Sequence, residues 1–387
     1  MSTRLPSSYR LPRIVLLSYI ATLATGIGVI FSLLAVIQDR YGFPTWSLGL
    51  LAGIPFAMTL FGNIWLTPLA DRGWERRLIS LGCLLLVLSL LWMVFAVELW
   101  QWVAARALMG VAEGVSVGAA RRVMLSWSPN RHGQALGSLM MAMLCGILIG
   151  PVLGGVLNEF GWAIPFLVPA AAGVVVLALL PSVRPGEYER PTLRLTRRHL
   201  TALPGFLSGL LLAASNWLYI GVIDAIWSRY MTDLGARPWL VGVGFLVISV
   251  PAILLVPLSG RLADRVNPIR LALVSAVIGL PLLAGYGLVS AVLPLLVVGG
   301  LHAACWAFVT LPGQAAVARA APASQAAEAQ GLVEAYGFVL AAAGAFAAAP
   351  IYEAAGPRSL FLITAASVAL TPMVVFARRS KWRDAFG

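Results

Sequence analysis

Twelve apolar runs, each long enough to cross a lipid bilayer, dominate this sequence of 387 residues. A helix rises 1.5 Å per residue, so about 20 residues cross a hydrocarbon core of about 30 Å. Transmembrane β-strands would instead alternate apolar and polar residues over about 10 positions. The unbroken runs therefore predict an all-α integral membrane protein with twelve transmembrane helices. The predicted spans are 14–37, 46–69, 78–97, 100–124, 134–157, 162–180, 203–230, 239–262, 271–290, 292–317, 329–352 and 359–377.

The composition agrees with a chain whose solvent is lipid. Hydrophobic residues make up 60% of the sequence, charged residues only 11%, and the mean hydropathy is +0.90. A soluble domain carries about 25% charged residues, so this chain could not cover its surface with polar groups. The three cysteines lie inside predicted spans and are interpreted as small buried residues. Neither they nor the scattered histidines predict a disulfide framework or a metal site.

The formal net charge of +12 is unevenly distributed along the chain. With a cytoplasmic amino terminus, 22 of the 27 Lys and Arg residues fall on the cytoplasmic side. Only Arg40, Arg229, Arg237 and Arg358 fall outside, and Arg106 lies within a span. This asymmetry is the positive-inside pattern. It predicts a multi-pass protein of a cell inner membrane with both termini in the cytoplasm, and it explains the basic charge without a nucleic-acid partner.

One polar segment, 181–202, divides the predicted spans into two sets of six. Short elements of the first half recur in the second half at a nearly constant offset. The recurring elements are 69–72 with 262–265, Asp39 with Asp233, Gly137 with Gly331, and Gly150 with Gly344. Six is an even number, so the two halves have the same orientation. We therefore predict parallel repeats, an N-terminal bundle over 1–180 and a C-terminal bundle over 203–387, joined by a cytoplasmic linker over 181–202.

Two loops and two spans carry recognisable motifs. The loop after the second span reads TPLADRGWERR over 67–77, and its counterpart in the second half reads GRLADR over 260–265. The fifth span contains G-x-x-x-G-P-x-x-G-G over 146–155. Its glycines allow close helix packing and its proline bends the helix. The fourth span contains R-x-x-x-G over 106–110.

These motifs resemble those of the major facilitator superfamily over essentially the full chain. The fifth-span motif, Gly146, Gly150, Pro151, Gly154 and Gly155, is similar to that of the family's twelve-helix drug:proton antiporters. The two loops resemble the family signature G-x-L-A-D-R-x-G-R-R. In the family this loop forms a cytoplasmic gate, and the alternative interpretation is a charge cluster that only sets topology. The residues assigned to these gate loops are Asp71, Arg72, Arg76, Arg77, Gly260, Asp264 and Arg265.

The first gate loop departs from the signature at Thr67 and Glu75, and the fourth-span motif has Met109 where the family has Gln. The resemblance implies a major facilitator fold in which spans 1, 4, 7 and 10 line a central cavity. It also implies that Arg106 influences proton transfer. The predicted spans 3, 6, 9 and 12, which would face outward in that fold, contain no ionisable Asp, Glu, Lys, Arg or His.

Ionisable side chains inside the other spans are the candidate functional residues, because a charge in hydrocarbon is costly and marks a functional position by default. Away from the ends of the spans, they are Arg106 and Glu113 in span 4, Asp224 in span 7, His302 in span 10 and Glu334 in span 11. The proton-coupling candidates are Glu113, Arg106, Asp224 and Glu334. The substrate-cavity candidates are Glu113, Asp224, His302 and Asn216.

Glu113 is the leading candidate for proton coupling. It lies about 13 residues into its span, past the middle of the bilayer, where burial favours the neutral form of a carboxylate. Arg106 lies two turns earlier on the same face, about 10 Å away along the axis, so it can tune Glu113 without pairing with it. Three structural alternatives remain open: a Glu113 satisfied by a hydroxyl or water, an Asp224–Arg229 ion pair, and a satisfied core histidine at His302.

The sequence contains no phosphate-binding loop and no nucleophile elbow. We predict a monomeric secondary transporter, not an enzyme, that uses a proton gradient and no bound cofactor. It would export a small amphipathic or apolar compound by alternating access. Two alternatives remain: proton-coupled transport of a specific metabolite, such as a sugar or an organic anion, and a lipid-moving membrane protein.

Overall fold

The computed structural model describes residues 10–127, 132–184, 197–322 and 325–383. Within these ranges the chain is helical except for short connections, and no β-strand occurs. The contacts divide the chain into two compact units. The first unit is Met1–Glu189 with Arg237–Val243, and the second is Arg190–Ala236 with Gly244–Gly387. Residues 185–196 of the predicted linker lie outside the described ranges.

Seven described α-helices lie entirely within the first unit. They are α1 (Arg10–Phe31), α2 (Leu34–Tyr41), α3 (Trp46–Trp65), α4 (Glu75–Phe95), α5 (Leu99–Ser126), α6 (His132–Asn158) and α7 (Ile164–Leu179). A 3₁₀ segment, Thr67–Arg72, connects α3 to α4. The single predicted span 14–37 is in fact divided, because α1 ends at Phe31 and α2 begins at Leu34. The apolar run crosses this break without a change in composition, so the pattern could not reveal it.

Six more helices follow in the rest of the chain. They are α8 (Arg197–Ala202), α9 (Phe206–Asp233), α10 (Pro238–Arg265), α11 (Pro268–Gly285), α12 (Val292–Ala320) and α13 (Ala326–Ala377). Eleven described helices are long and apolar enough to cross a membrane. The chain is therefore an all-helical protein with the character of a multi-pass membrane protein.

The last helix, α13, has 52 residues and contains one residue with non-helical backbone angles, Gly356, at φ 74° and ψ 175°. A straight helix of this length would measure about 78 Å, more than twice the thickness of a hydrocarbon core. A positive φ is readily adopted only by glycine, so Gly356 can interrupt the helix without strain. The predicted spans 329–352 and 359–377 lie on either side of it.

Glycines of α6, which have no side chain, allow this helix to pack closely against α1 in the first unit. A Cβ atom on Gly146 of α6 would lie 2.3 Å from the carbonyl oxygen of Ala21 in α1, and one on Gly154 would lie 2.3 Å from that of Val29. Real Cβ atoms essentially never approach another atom below 3.0 Å. The glycine motif of α6 therefore contacts the backbone of α1 directly.

In the second unit, glycines bring α9 and α13 into close contact in the same way. A Cβ atom on Gly221 of α9 would lie 1.9 Å from the carbonyl oxygen of Ala341 in α13, and one on Gly344 would lie 2.3 Å from that of Leu218. Gly344 is the repeat counterpart of Gly150, which lies against Thr25 and Gly28 of α1. Each unit thus holds its first long helix against a later helix through glycines at matching positions of the repeat.

Candidate functional site

Glu113 is buried in the first unit, with 8% of its surface exposed. The hydroxyl of Thr59 in α3 lies 2.9 Å from Glu113 Oε2 and 3.1 Å from the carbonyl oxygen of Gly110. Thr59 is itself only 1% exposed. A carboxylate and a hydroxyl thus form a buried polar pair at the contact between α3 and α5.

The close approach of α3 and α5 depends on two glycines of α5. A Cβ atom on Gly110 would lie 2.4 Å from the carbonyl oxygen of Pro55, and one on Gly114 would lie 2.5 Å from that of Thr59. Because these positions lack side chains, the backbone of α3 comes close enough for Thr59 to reach Glu113. Gly110 belongs to the fourth-span motif, whereas Thr59 had no distinguishing signal in the sequence.

The Thr59 hydroxyl can accommodate Glu113 in either protonation state. A hydroxyl has one donor hydrogen and two acceptor lone pairs. With an ionised Glu113, Thr59 donates its hydrogen to the carboxylate. With a protonated Glu113, the carboxyl group donates to Thr59 Oγ1, and Thr59 donates to the carbonyl oxygen of Gly110. Neither state leaves the pair without a hydrogen bond, so proton uptake does not require the helices to move apart.

Arg106, the second candidate of α5, is 1% exposed. Its Nε donates to the carbonyl oxygen of Leu51 in α3 at 2.8 Å, and its Nη1 lies 3.4 Å from the sulfur of Met109. Its guanidinium carbon lies 5.7 Å from the ring centre of Phe31, within cation–π range. Arg106 therefore contacts both α1 and α3 from α5, and it positions a buried positive charge two turns from Glu113.

A second polar pair in the first unit was missed by sequence reasoning. The hydroxyl of Tyr19 in α1, which is fully buried, donates to Ser116 Oγ of α5 at 2.7 Å. A Cβ atom on Gly82 of α4 would lie 2.7 Å from this Tyr19 hydroxyl. Ser116 lies one turn beyond Glu113, so α5 presents a line of buried polar groups to its neighbours. Isolated Tyr and Ser residues in an apolar span gave no signal for this contact.

The gate loop of the first unit holds an ion pair where the sequence departs from the family signature. Glu75 Oε1 lies 2.7 Å from Arg122 Nε at the end of α5, and Glu75 is 5% exposed. The side chain of Asp71 lies outside the described part of the structure. Glu75 is one of the two positions at which this loop departs from the signature. The structure thus shows that this carboxylate pairs with an arginine of α5.

The gate loop of the second unit pairs through the signature carboxylate itself. Arg319 of α12 contacts Asp264 Oδ1 at 2.9 Å and donates to the carbonyl oxygen of Ala263 at 2.8 Å. The side chain of Asp264 is 80% exposed. Gly260 lies beside Leu311 of α12. In both units an arginine near the end of the fourth long helix therefore contacts a carboxylate of the loop region, although the two carboxylates occupy different motif positions.

Arg122→Gln is expected to lower the stability of the protein by about 3–5 kcal/mol, because it leaves the buried Glu75 carboxylate without its partner charge. The double variant Glu75→Gln with Arg122→Gln should recover most of this loss, since a neutral pair has no uncompensated charge. Melting temperatures of the purified variants in one detergent test this cycle. A destabilisation of the double variant equal to the sum of the Glu75→Gln and Arg122→Gln effects would show that the two charges are not coupled.

Three candidates of the second unit lie on α9 and α12 and are buried. Asn216 and Asp224 of α9 are each 7% exposed, and His302 of α12 is 5% exposed. The His302 ring packs edge-on against Tyr219, with ring centres 4.5 Å apart. The Tyr219 hydroxyl lies 2.6 Å from that of Tyr286. His302 is therefore packed among aromatic rings.

Four polar atoms of this region have no hydrogen-bond partner among the described residues. They are Nδ2 of Asn216, Nδ1 of His302, Nε1 of Trp306 and Oγ1 of Thr310. The last three residues are four positions apart on α12 and share one side of that helix. Trp306 and Thr310 were not candidates in the sequence. A buried polar atom without a partner costs about 1–3 kcal/mol. A ligand that formed hydrogen bonds with these four atoms would remove that cost.

The remaining candidates lie toward other parts of their units. Arg229 pairs with Asp233 at the end of α9, and the Tyr352 hydroxyl donates to the same carboxylate at 2.7 Å. Glu334 is half-buried on α13, four residues beyond Gln330. The Gln330 side chain donates to the carbonyl oxygen of Gln314 in α12 at 3.0 Å.

Gly155 of the α6 motif lies against the backbone of Pro238, within the same compact unit.

Comparison with known proteins places these features in a family. Relatives include the "Multidrug resistance protein MdtG" of Citrobacter koseri, 27% identical over 250 residues, which are 62% of this chain and 61% of that protein. The protein of the same name from Serratia proteamaculans is 29% identical over 251 residues, 62% of this chain and 60% of the relative. The match thus spans about three fifths of the length of these relatives.

Two solved structures share the fold. A bacterial homolog of the human lysosomal transporter Spinster, in an inward-facing and occupied conformation, has a TM-score of 0.83 at 16% identity, over 100% of this chain and 99% of that one. The nucleoside transporter NupG, as its D323A mutant, has a TM-score of 0.75 at 13% identity, over 95% and 99%. The family model described as Major Facilitator Superfamily matches residues 15–208 and 205–386. The resemblance in the motifs is therefore confirmed, and this chain belongs to the Major Facilitator Superfamily.

Proposed function

We propose that this protein is a proton-coupled secondary transporter that exports small amphipathic or apolar compounds by alternating access. It would act as a monomer with twelve transmembrane helices, in which an N-terminal bundle over 1–180 and a C-terminal bundle over 203–387 move about a central cavity. The observation that carries the proposal is the buried Glu113–Thr59 pair, at 2.9 Å, inside a helix of the kind that lines the cavity in this family.

A transporter driven by protons needs a group that changes its charge when access changes from one side to the other. Burial favours the neutral form of Glu113, whereas water entry or the nearby positive charge of Arg106 favours the ionised form. The Thr59 hydroxyl supports both forms at one position. Alternating access would shift this balance between the two states and so couple proton release to movement of the substrate.

The substrate class rests on the relatives' name and on the character of the spans. Both relatives are called multidrug resistance proteins, and drug-like compounds are commonly amphipathic. A second candidate, transport of a specific metabolite, is favoured by one observation. The unused hydrogen-bonding atoms of Asn216, His302, Trp306 and Thr310 would suit a substrate rich in hydroxyl or carbonyl groups.

The test is transport by the purified full chain in proteoliposomes with an imposed pH gradient. A panel of lipophilic cations, neutral aromatic compounds, sugars and organic acids separates the two candidates. Uptake of an amphipathic compound that depends on the pH gradient would support the proposal. Uptake restricted to sugars or organic acids would favour the metabolite alternative. Lipid movement without any dependence on the gradient would overturn both.

The orientation can be checked independently of substrate. The positive-inside pattern predicts that tags at residue 190 and at both termini react only from the cytoplasm, and that a tag near Gly235 reacts only from outside. Accessibility of single cysteines to an impermeant reagent in intact cells, in a background without the three native cysteines, measures this. Labelling with the opposite pattern would reverse the proposed topology.

Asp264→Asn is expected to slow transport severalfold with little change in substrate affinity or in melting temperature. The ion pair with Arg319 is exposed and so contributes only about 0–1 kcal/mol to stability, but a gate contact affects the rate at which access alternates. Transport rates and binding isotherms of this variant and of Asp71→Asn provide the measurement. Wild-type rates in both variants would leave the loops with a purely topological role.

A further inference from the structure

An open cavity of about 790 Å³ lies at the start of α4 in the first unit. Its walls are formed by the end of the 3₁₀ segment and the first turns of α4. The lining residues are Arg72, Gly73, Trp74, Arg76, Arg77 and Ser80. Three arginines therefore line one concave surface, together with a serine and a tryptophan. The proton-coupling site does not use this surface.

One carboxylate beside this cavity is directed into the unit and pairs there with an arginine. Glu75, which lies between Trp74 and Arg76 in the sequence, is buried and paired with Arg122 at 2.7 Å. Its negative charge is therefore neutralised by Arg122 inside the unit. Arg76 and Arg77 are exposed, and the Arg77 guanidinium carbon lies 5.2 Å from the ring centre of Trp74. This stacking orients the Arg77 guanidinium. Guanidinium groups can bind a phosphate through two parallel hydrogen bonds.

An exposed apolar stripe of α4 begins directly after the cavity. The residues Leu81, Leu84, Leu88, Trp92 and Phe95 are 36–78% exposed and recur every three or four positions. Arg77 and Trp74 continue the same helical face toward the cavity. On a membrane-spanning helix, such a stripe contacts acyl chains. The arginines at its head consequently lie where lipid headgroups meet water, and an exposed Trp at this level is typical of the interface.

We infer that this cavity binds the phosphate of an anionic phospholipid, with the acyl chains lying along the exposed stripe of α4. Basic cavities on the arginine-rich side of membrane proteins recognise such headgroups. The phosphate accepts hydrogen bonds from the guanidinium groups of Arg76 and Arg77 and from Ser80. The stripe selects a lipid over free phosphate, because only the lipid also covers apolar surface. This binding does not require Glu113, although Arg72, Arg76 and Arg77 also belong to the gate loop of the first unit.

Native mass spectrometry of the purified full chain tests the inference with short-chain phosphatidylglycerol, the matched phosphatidylcholine, and glycerol phosphate without acyl chains. One phosphatidylglycerol per chain should bind about tenfold more tightly than phosphatidylcholine. Arg76→Gln with Arg77→Gln should abolish that preference. The control, Arg261→Gln with Arg270→Gln, removes two exposed arginines from the second unit and should retain it.

Three outcomes would overturn the inference. Equal binding of the two phospholipids would indicate nonspecific lipid contact. Displacement of phosphatidylglycerol by glycerol phosphate at equal concentration would indicate a site for free phosphate. An unchanged preference in the Arg76/Arg77 variant would place the lipid elsewhere. If that variant does not fold, the wild-type protein still provides a test, because high salt should weaken phosphatidylglycerol binding and leave phosphatidylcholine binding unchanged.

Discussion

Glu113→Gln is expected to abolish accumulation of substrate against a gradient while downhill exchange survives. The amide has the shape of a protonated carboxyl group and can still donate to Thr59 Oγ1, so the contact between α3 and α5 should persist. It cannot release a proton, however, and the charge change that couples proton to substrate is lost. Coupling free energies of about 1–3 kcal/mol are typical, so the accumulation ratio should fall about tenfold or more.

The comparison needs controls for folding and for surface charge. Glu159→Gln removes an exposed carboxylate just after α6 and should transport like the wild type. Thr59→Ser keeps the hydroxyl and should retain coupling, whereas Thr59→Val removes it and should impair coupling at unchanged expression. All variants are compared in proteoliposomes at matched protein content and fixed external pH.

The outcomes separate three explanations. Loss of gradient-driven transport in Glu113→Gln alone assigns coupling to the first unit. Full activity of that variant, with loss in Asp224→Asn or Glu334→Gln, would move the proton site to the second unit. Full activity in all three variants would contradict proton coupling and favour facilitated diffusion or a lipid-moving function.

Gly146→Ala is expected to destabilise the first unit strongly. The added methyl group would lie 2.3 Å from the carbonyl oxygen of Ala21 and 3.0 Å from the backbone nitrogen of Thr25. Neither atom belongs to a side chain that can change its rotamer, so α1 and α6 would have to separate along their contact. Overpacking of this kind costs about 1–3 kcal/mol, and loss of the neighbouring contacts at Gly150 and Gly154 would add to it.

Gly137→Ala is the matched control in the same helix. No atom lies within 4 Å of a Cβ at that position, and alanine is favoured over glycine in a helix by about 1 kcal/mol. Melting temperatures followed by tryptophan fluorescence in one detergent should therefore fall for Gly146→Ala and stay constant or rise for Gly137→Ala. The same melting temperature for both variants would contradict the close contact between α1 and α6.

Local properties of the sequence determined the class of protein and its family. The length of an apolar run decides whether a helix can cross a bilayer, and the distribution of basic residues follows from the side on which each loop lies. Both can be read without knowing which helices touch. The glycine motif of α6 and the gate loops likewise indicated the family, because each is a contiguous pattern.

The pairing of residues was decided only by the tertiary structure. In a membrane-spanning helix the lipid-facing side and the packed side are both apolar, so periodicity does not reveal which face contacts which neighbour. Thr59 and Glu113 lie 54 positions apart, and they meet because Gly110 and Gly114 let α3 approach α5. The Glu75–Arg122 pair depends in the same way on a helix contact that no contiguous motif encodes. The break between α1 and α2 also escaped the sequence, since a turn inside an apolar run leaves its hydropathy unchanged.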